Sequence, residues 1–118
     1  MASFYDLNVY RKSYSAALYI YRITKEYLPK EEMFGLSSQI RRAATSIPLN
    51  IAEGYGKNNG SAELQRYLSI AQGSCAEMEV LIHFIKDLGY ITDIQYTNLI
   101  EKYNEIGKML QGLRRSVT

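Results

Sequence analysis

Gln39-Ile-Arg-Arg-Ala-Ala-Thr-Ser-Ile-Pro-Leu-Asn-Ile-Ala-Glu-Gly-Tyr-Gly56 reads as a helix with a proline set in its middle. Leu36, Ile40, Ala43, Ile47 and Ile51 recur at alternating steps of four and three, the apolar stripe of a packed helix. Pro48 falls inside that stripe. It lacks an N–H, and its ring clashes with the carbonyl four residues back, that of Ala44, at roughly 3 kcal/mol in an ordinary helix. Either the helix ends near Ile47 or a kink is tolerated because other groups satisfy the freed carbonyl. The apolar spacing continues past the proline, so the kink is preferred. Thr45 and Ser46 can bond back to the preceding turn, which also bends helices. Gly54-Tyr-Gly56 and the following Lys57-Asn-Asn-Gly60 supply the stop and the turn.

The same periodicity extends outward on both sides. The first predicted helix runs from about Leu7 to Leu28 on Leu7, Tyr10, Tyr14, Ala17, Tyr21 and Leu28, with Asp6 as its N-cap and Pro29-Lys-Glu-Glu32 as its stop. The second starts at Met33 or Leu36, because Gly35 interrupts it, and reaches about Lys57. The third runs from about Ser61 to Leu88, capped by Ser61 or Gly60, and has two seams. One is Leu64, Leu68, Ala71, Cys75, Met78, Ile82 and Ile85; the other is Tyr67, Ile70, Leu81, Phe84 and Leu88. A helix apolar on two sides has neighbours on two sides, in the bundle or in another subunit. Its small waist, Gln72-Gly-Ser-Cys-Ala76, suits close approach by another helix. Thr92-Asp-Ile-Gln95 is a capping box that opens the fourth helix, which runs to about Arg115 on Tyr96, Leu99, Tyr103, Ile106, Leu110, Leu113 and Val117. The expectation is an all-α, antiparallel up-down-up-down four-helix bundle over residues 1–118, a single domain, with helix two kinked at Pro48.

With 118 residues, 47% hydrophobic and 22% charged, the chain has the length and composition of one globular domain. No apolar run approaches the roughly 20 residues that span a bilayer. The N-terminus lacks a signal-peptide core, and a lone cysteine fits a reducing cytoplasm. Eleven tyrosines without a tryptophan suit seam packing better than base stacking.

The net charge of +2 matters less than its layout. In the expected bundle one end collects seven bases, Arg11, Lys12, Lys57, Arg66, Lys108, Arg114 and Arg115, against three acids, Asp6, Glu53 and Glu63. A concentrated basic face is the footprint of nucleic-acid binding, although an ordinary solvated rim explains the counts equally simply and is preferred on counts alone. The hairpin register also predicts ion pairs Glu53–Arg66 and Arg41 or Arg42 with Glu77, and sets the Ser74 hydroxyl opposite Ala44. Neither a di-iron site nor a Cys–His nucleophile is expected. The one histidine, His83, has its carboxylate at Glu79, four residues back rather than three, and reads as a partly buried packing residue; Cys75 sits in an apolar seam. No cofactor and no metal are expected, and the chain does not read as an enzyme.

Ser46-Ile-Pro-x-Asn-Ile-Ala-Glu-Gly54, preceded by Gln39-Ile-Arg-Arg42, resembles the signature of the 23S rRNA intervening sequence proteins. Gly73-Ser-x-x-Glu77 matches that family's second motif, and Phe4-x-Asp-Leu7 and Lys108-Met-Leu-x-x-Leu113 match its ends. Arg41, Arg42, Pro48, Asn50, Glu53, Gly54, Gly73, Ser74 and Glu77 are therefore the motif residues. The resemblance implies an all-α bundle that assembles as a ring-shaped homopentamer. The family is also similar to the accessory variability proteins of diversity-generating retroelements, basic pentamers that work with nucleic acid. The combined expectation is a non-enzymatic, cytoplasmic oligomer associated with RNA or another nucleic acid through its basic end. The alternative is a scaffold that binds another protein and has no nucleic-acid role.

Overall fold

The computed structural model describes residues 3–56 and 60–117. The described residues form four α-helices: α1 Asn8–Tyr27, α2 Leu36–Tyr55, α3 Ser61–Asp87 and α4 Asp93–Ser116. No strand occurs among the described residues. At 1.5 Å per residue α3 is about 40 Å long, which accounts for the 43 Å long axis of a molecule 24 by 21 Å across.

The helix ends follow local chemistry. Leu28 is extended (φ −88°, ψ 137°), as the following proline requires. Gly60 caps α3 in an extended conformation. Gly89, at φ +83°, ends that helix in a paired backbone turn, its N–H donating to Lys86 O and the Tyr90 N–H to Ile85 O. The Thr92/Gln95 capping box is formed in both directions, at 3.1 and 2.8 Å. Asp6 does not cap α1: it closes a capping box with Ser3 on a separate 3-10 turn, Phe4–Asp6, and Leu7 precedes α1 without a side-chain cap.

Helix α2 continues through Pro48. Thr45 Oγ1 donates to Arg41 O at 3.0 Å, bonding backward as expected. Ser74 does not serve the Ala44 carbonyl. Its hydroxyl pairs with that of Ser46 at 2.8 Å, and Asn50 Nδ2 donates to Ser46 O at 2.8 Å and to Ser46 Oγ at 3.0 Å. The motif asparagine thus joins the turn around the proline to the α2/α3 seam.

The core is built by Ile20, Ile23, Ile40, Ile47, Ile51, Leu68, Met78, Ile82, Ile85, Leu99, Tyr103, Ile106 and Leu110. The predicted stripes of α2 and α4 and the first seam of α3 are its faces. For α1 the stripe is displaced. Val9, Ser13, Ala16, Ala17, Ile20, Ile23 and Thr24 are buried, while Tyr14 and Tyr21 are exposed. Ser13 and Thr24 can go inside because their hydroxyls donate to the carbonyls of Tyr10 and Tyr21, three residues back. The tyrosines keep their phenols near water.

Successive helices pack on one another, and α1 also meets α4. Between α3 and α4 the linked pairs run in opposite order: Gln65 with Arg114, Cys75 with Tyr103, His83 with Tyr96. Between α1 and α4 they do the same, with Lys12 at Glu105 and Tyr19 under Lys102.

Two glycines separate the tight contact from the open one. A Cβ at Gly54 would lie 2.8 Å from Leu64 Cδ1 and 3.2 Å from Tyr67 Cβ, so α2 and α3 approach closely there. A Cβ at Gly73 would meet nothing within 4 Å, so the waist of α3 is open at this glycine rather than closed by a neighbouring helix. Gly73→Ala should therefore raise stability by up to about 1 kcal/mol through helix propensity. Gly54→Ala should lower it by about 1 kcal/mol or more through overpacking. Urea unfolding of the two variants checks the opposite signs.

Candidate nucleic-acid interface

The bases expected at one end fare differently from one another. Lys12 Nζ lies 2.9 Å from Glu105, a carboxylate of α4 that the bundle brings alongside it. Arg66 is held by Glu63 one turn earlier on α3, at 3.0 Å, and lies over the Tyr67 ring. The Glu63 carboxyl is lowered by that hydrogen bond and charge. The Arg66 partner is thus local, because an i, i+3 neighbour is already in place along the helix. Arg11 donates to Tyr5 O at 3.0 Å and Asn8 Oδ1 at 2.6 Å, both uncharged acceptors. Lys108 is exposed. Lys57 lies outside the described residues. Asp6 sits in the 3-10 turn.

Arg114 is half-buried and fixed. Its Nη1 donates to Gln72 Oε1 at 2.7 Å and its Nε to Gln65 Oε1 at 3.3 Å, while Gln65 Nε2 donates to the Arg114 carbonyl oxygen. Arg114 and Arg115 line a groove of about 520 Å³ between α3 and α4 with Gln65, Gln72 and Gln111. No carboxylate lines it among the described residues. The three glutamines were legible as spacing: Gln65 and Gln72 are seven apart on α3, and Gln111 stands three and four before the two arginines on α4. Nothing in the sequence marked them as partners of Arg114.

The motif residues on α2 and α3 separate into three groups. Arg41 turns to α1, where its Nε donates to Thr24 Oγ1 at 2.7 Å and its guanidinium lies over the Tyr21 ring. Arg42 and Glu77 line one cleft of about 600 Å³ between α2 and α3, with the Ser46–Ser74 hydroxyl pair. No ion pair joins Glu77 to Arg41 or Arg42 among the described residues, because Arg41 is engaged elsewhere and the cleft separates the other two. Gly54 makes the close α2/α3 approach described above.

The second α3 seam is only partly covered. Leu81 is buried, but Ile70, Phe84 and Leu88 are about half exposed. Between α1 and α2, Phe4, Tyr10, Tyr14, Leu18, Tyr21 and Leu49 line an apolar groove of about 390 Å³. No helix is long and apolar enough to cross a membrane among the described residues.

The model of the 23S rRNA-intervening sequence protein family matches residues 5–112. The chain belongs to this family. A solved structure of an S23 ribosomal protein family member of unknown function from Bacteroides thetaiotaomicron is similar, with a TM-score of 0.83 and 30% identity over 91% of this chain and 95% of that one. No curated protein matches.

The reactive side chains of this family member are placed as follows. His83 is exposed rather than partly buried: its Nδ1 lies 2.9 Å from Glu79 O and its Nε2 2.7 Å from Tyr96 Oη. Among the described residues no group of three or more His, Cys, Asp or Glu could hold a metal ion. Cys75 is buried, and its thiol donates to Tyr103 O. Burial, reinforced by Glu79, pushes that thiol up to about 12. The thiolate is the reactive form. Cys75 should therefore resist iodoacetamide at pH 8 in the folded protein and react fully once urea unfolds it. Mass spectrometry of the labelled chain reads this directly.

Proposed function

We propose that this protein is a non-enzymatic homo-oligomer of the 23S rRNA-intervening sequence type that binds RNA phosphates through the α3/α4 groove at the basic end of the bundle. The observation that carries the reading is the Arg114 guanidinium. It is half-buried and oriented by two neutral glutamines, with no carboxylate among its partners in the described residues, whereas carboxylates sit against Lys12 and Arg66. A guanidinium fixed before binding loses less freedom when it meets a phosphate. Arg115 lines the same groove, and Arg11 and Lys108 add charge to the same end. Phosphate contacts of this kind position the RNA without reading its sequence.

The opposite order of linked pairs supports an antiparallel up-down-up-down bundle, and the proline inside α2 supports a bend at Pro48. The chain's lone thiol suits a cytoplasmic setting.

Self-association is supported by two unlike apolar surfaces, the α1/α2 groove and the open seam of α3. Unlike surfaces meeting head to tail form a ring where the rotation between copies closes, and the family resemblance implies five copies. The second reading, a scaffold for another protein with no nucleic-acid role, rests on the same apolar surfaces.

Titrating a structured rRNA fragment over salt tests the RNA reading. Micromolar or tighter binding should weaken steeply from 50 to 200 mM salt, and Arg114→Glu/Arg115→Glu should weaken it by at least about tenfold. Salt-insensitive binding, or none at low salt, turns the reading to the scaffold. Light scattering should give a mass of about five chains, and Phe84→Asp should reduce it.

A further inference from the structure

The cleft between α2 and α3 is a second polar site, distinct from the arginine groove. The Ser46–Ser74 hydroxyl pair sets the register of its two walls. One turn before Ser46 stands Arg42, and three residues after Ser74 stands Glu77, so a cation and a carboxylate line the same cleft from different helices. Ser38 and Gln39 continue the α2 wall, and Phe34 lies at the head of α2, 93% exposed. Among the described residues, Arg42 and Glu77 make no ion pair, and the side chains of Ser38, Gln39, Arg42 and Glu77 make no hydrogen bond.

That donor and acceptor set discriminates between ligands. A phosphate is repelled by Glu77, and a simple cation is repelled by Arg42. A flat group that accepts from one wall and donates to the other satisfies both. Guanine does this: O6 and N7 accept from a guanidinium on one edge, while N1–H and the N2 amine donate to a carboxylate on another. Adenine offers an acceptor where guanine has N1–H and leaves the carboxylate opposed. An exposed phenyl ring at the mouth is what an unstacked base packs against.

The surface between the two sites is clear. At about 100° per residue, Ser69, Gly73 and Ala76 form the outward strip of α3 between Gln72, on the groove side, and Ser74 and Glu77, on the cleft side. All three are exposed, and Gly73 leaves open space above the helix. A strand held by Arg114 can cross this strip.

We propose that the α2/α3 cleft binds a single unstacked guanine of RNA, with Arg42 donating to its O6/N7 edge, Glu77 accepting from its N1–H and amine, and Phe34 stacking on its face. The proposal rests on the RNA reading, with the arginine groove holding the adjoining backbone.

The test is fluorescence anisotropy of labelled eight-nucleotide uridine tracts carrying one central guanine or one central adenine, at low salt, with the full-length protein. The guanine tract should bind at least about tenfold more tightly than the adenine tract, the discrimination of one good bidentate contact. Glu77→Gln should reduce that preference to under about threefold without weakening the adenine tract, whereas loss of a mere backbone contact would weaken both tracts equally. Phe34→Ala should weaken the guanine tract, and Arg114→Glu/Arg115→Glu should weaken both tracts while leaving their ratio intact. Circular dichroism confirms that these surface variants fold. Equal binding of the two tracts by the wild-type protein overturns the guanine site and leaves the phosphate reading standing. Binding of neither tract overturns both. Loss of oligomer mass in Glu77→Gln, with no base preference in the wild-type protein, overturns the site in favour of a contact between copies.

Discussion

The structure depends on how α2 accommodates a proline within a helix that must also pack tightly on α3. Pro48 removes one backbone donor, and the stripe of Ile40, Ile47 and Ile51 holds α2 in the core on both sides of it. Polar side chains close the neighbouring turn: Thr45 reaches back to Arg41 O, and Asn50 reaches Ser46. Ser46 in turn meets Ser74 across the seam. One set of hydrogen bonds therefore carries the helix past the proline and sets the α2/α3 register. Ala43, Ala44 and Ala71 are buried in these two helices, and Gly54 lets Leu64 and Tyr67 come within contact distance. Small residues are needed here because larger ones would hold the helices apart.

That register decides what the surface offers. With Ser46 against Ser74, Arg42 and Glu77 share a cleft instead of pairing across the α2/α3 seam, and Arg41 is directed to Thr24 and Tyr21. Two adjacent arginines in the sequence thus do different things: one ties α2 to α1, and the other faces an open polar cleft. On the far side of α3, the glutamines turn Arg114 into a fixed cation, while Lys12 and Arg66 are offset by Glu105 and Glu63. A count of bases at one end overstates the field, because acids from neighbouring turns and helices join them.

Helix number, most boundaries, the Thr92 cap, the α3 cap to within one residue (Ser61 or Gly60) and the core faces of α2, α3 and α4 were legible in the sequence, because each depends on spacing or on neighbours within four residues. The face of α1 was not. Three tyrosines at helical spacing suggested the stripe, but Ser13 and Thr24 satisfy their hydroxyls on their own helix and go inside, leaving Tyr14 and Tyr21 at the surface. Asp6 carried the chemistry of a helix cap but closes its own turn with Ser3. His83 sat between two apolar residues yet is exposed, since the seam turns away from it.

The sequence by itself determined the all-α class, the family and the course of α2 through Pro48, since local periodicity and a proline-centred motif need no partner to be read. Only the tertiary structure decided which side chains meet. Glu63 rather than Glu53 is the partner shown for Arg66, Glu105 comes to Lys12, Gln65 and Gln72 orient Arg114, and Arg42 and Glu77 line one cleft with no ion pair between them among the described residues. Apart from the Glu63–Arg66 pair, these relations join residues far apart in the chain or on different helices. The rotation and offset of packed helices set them, and a helix's own sequence carries that information only weakly.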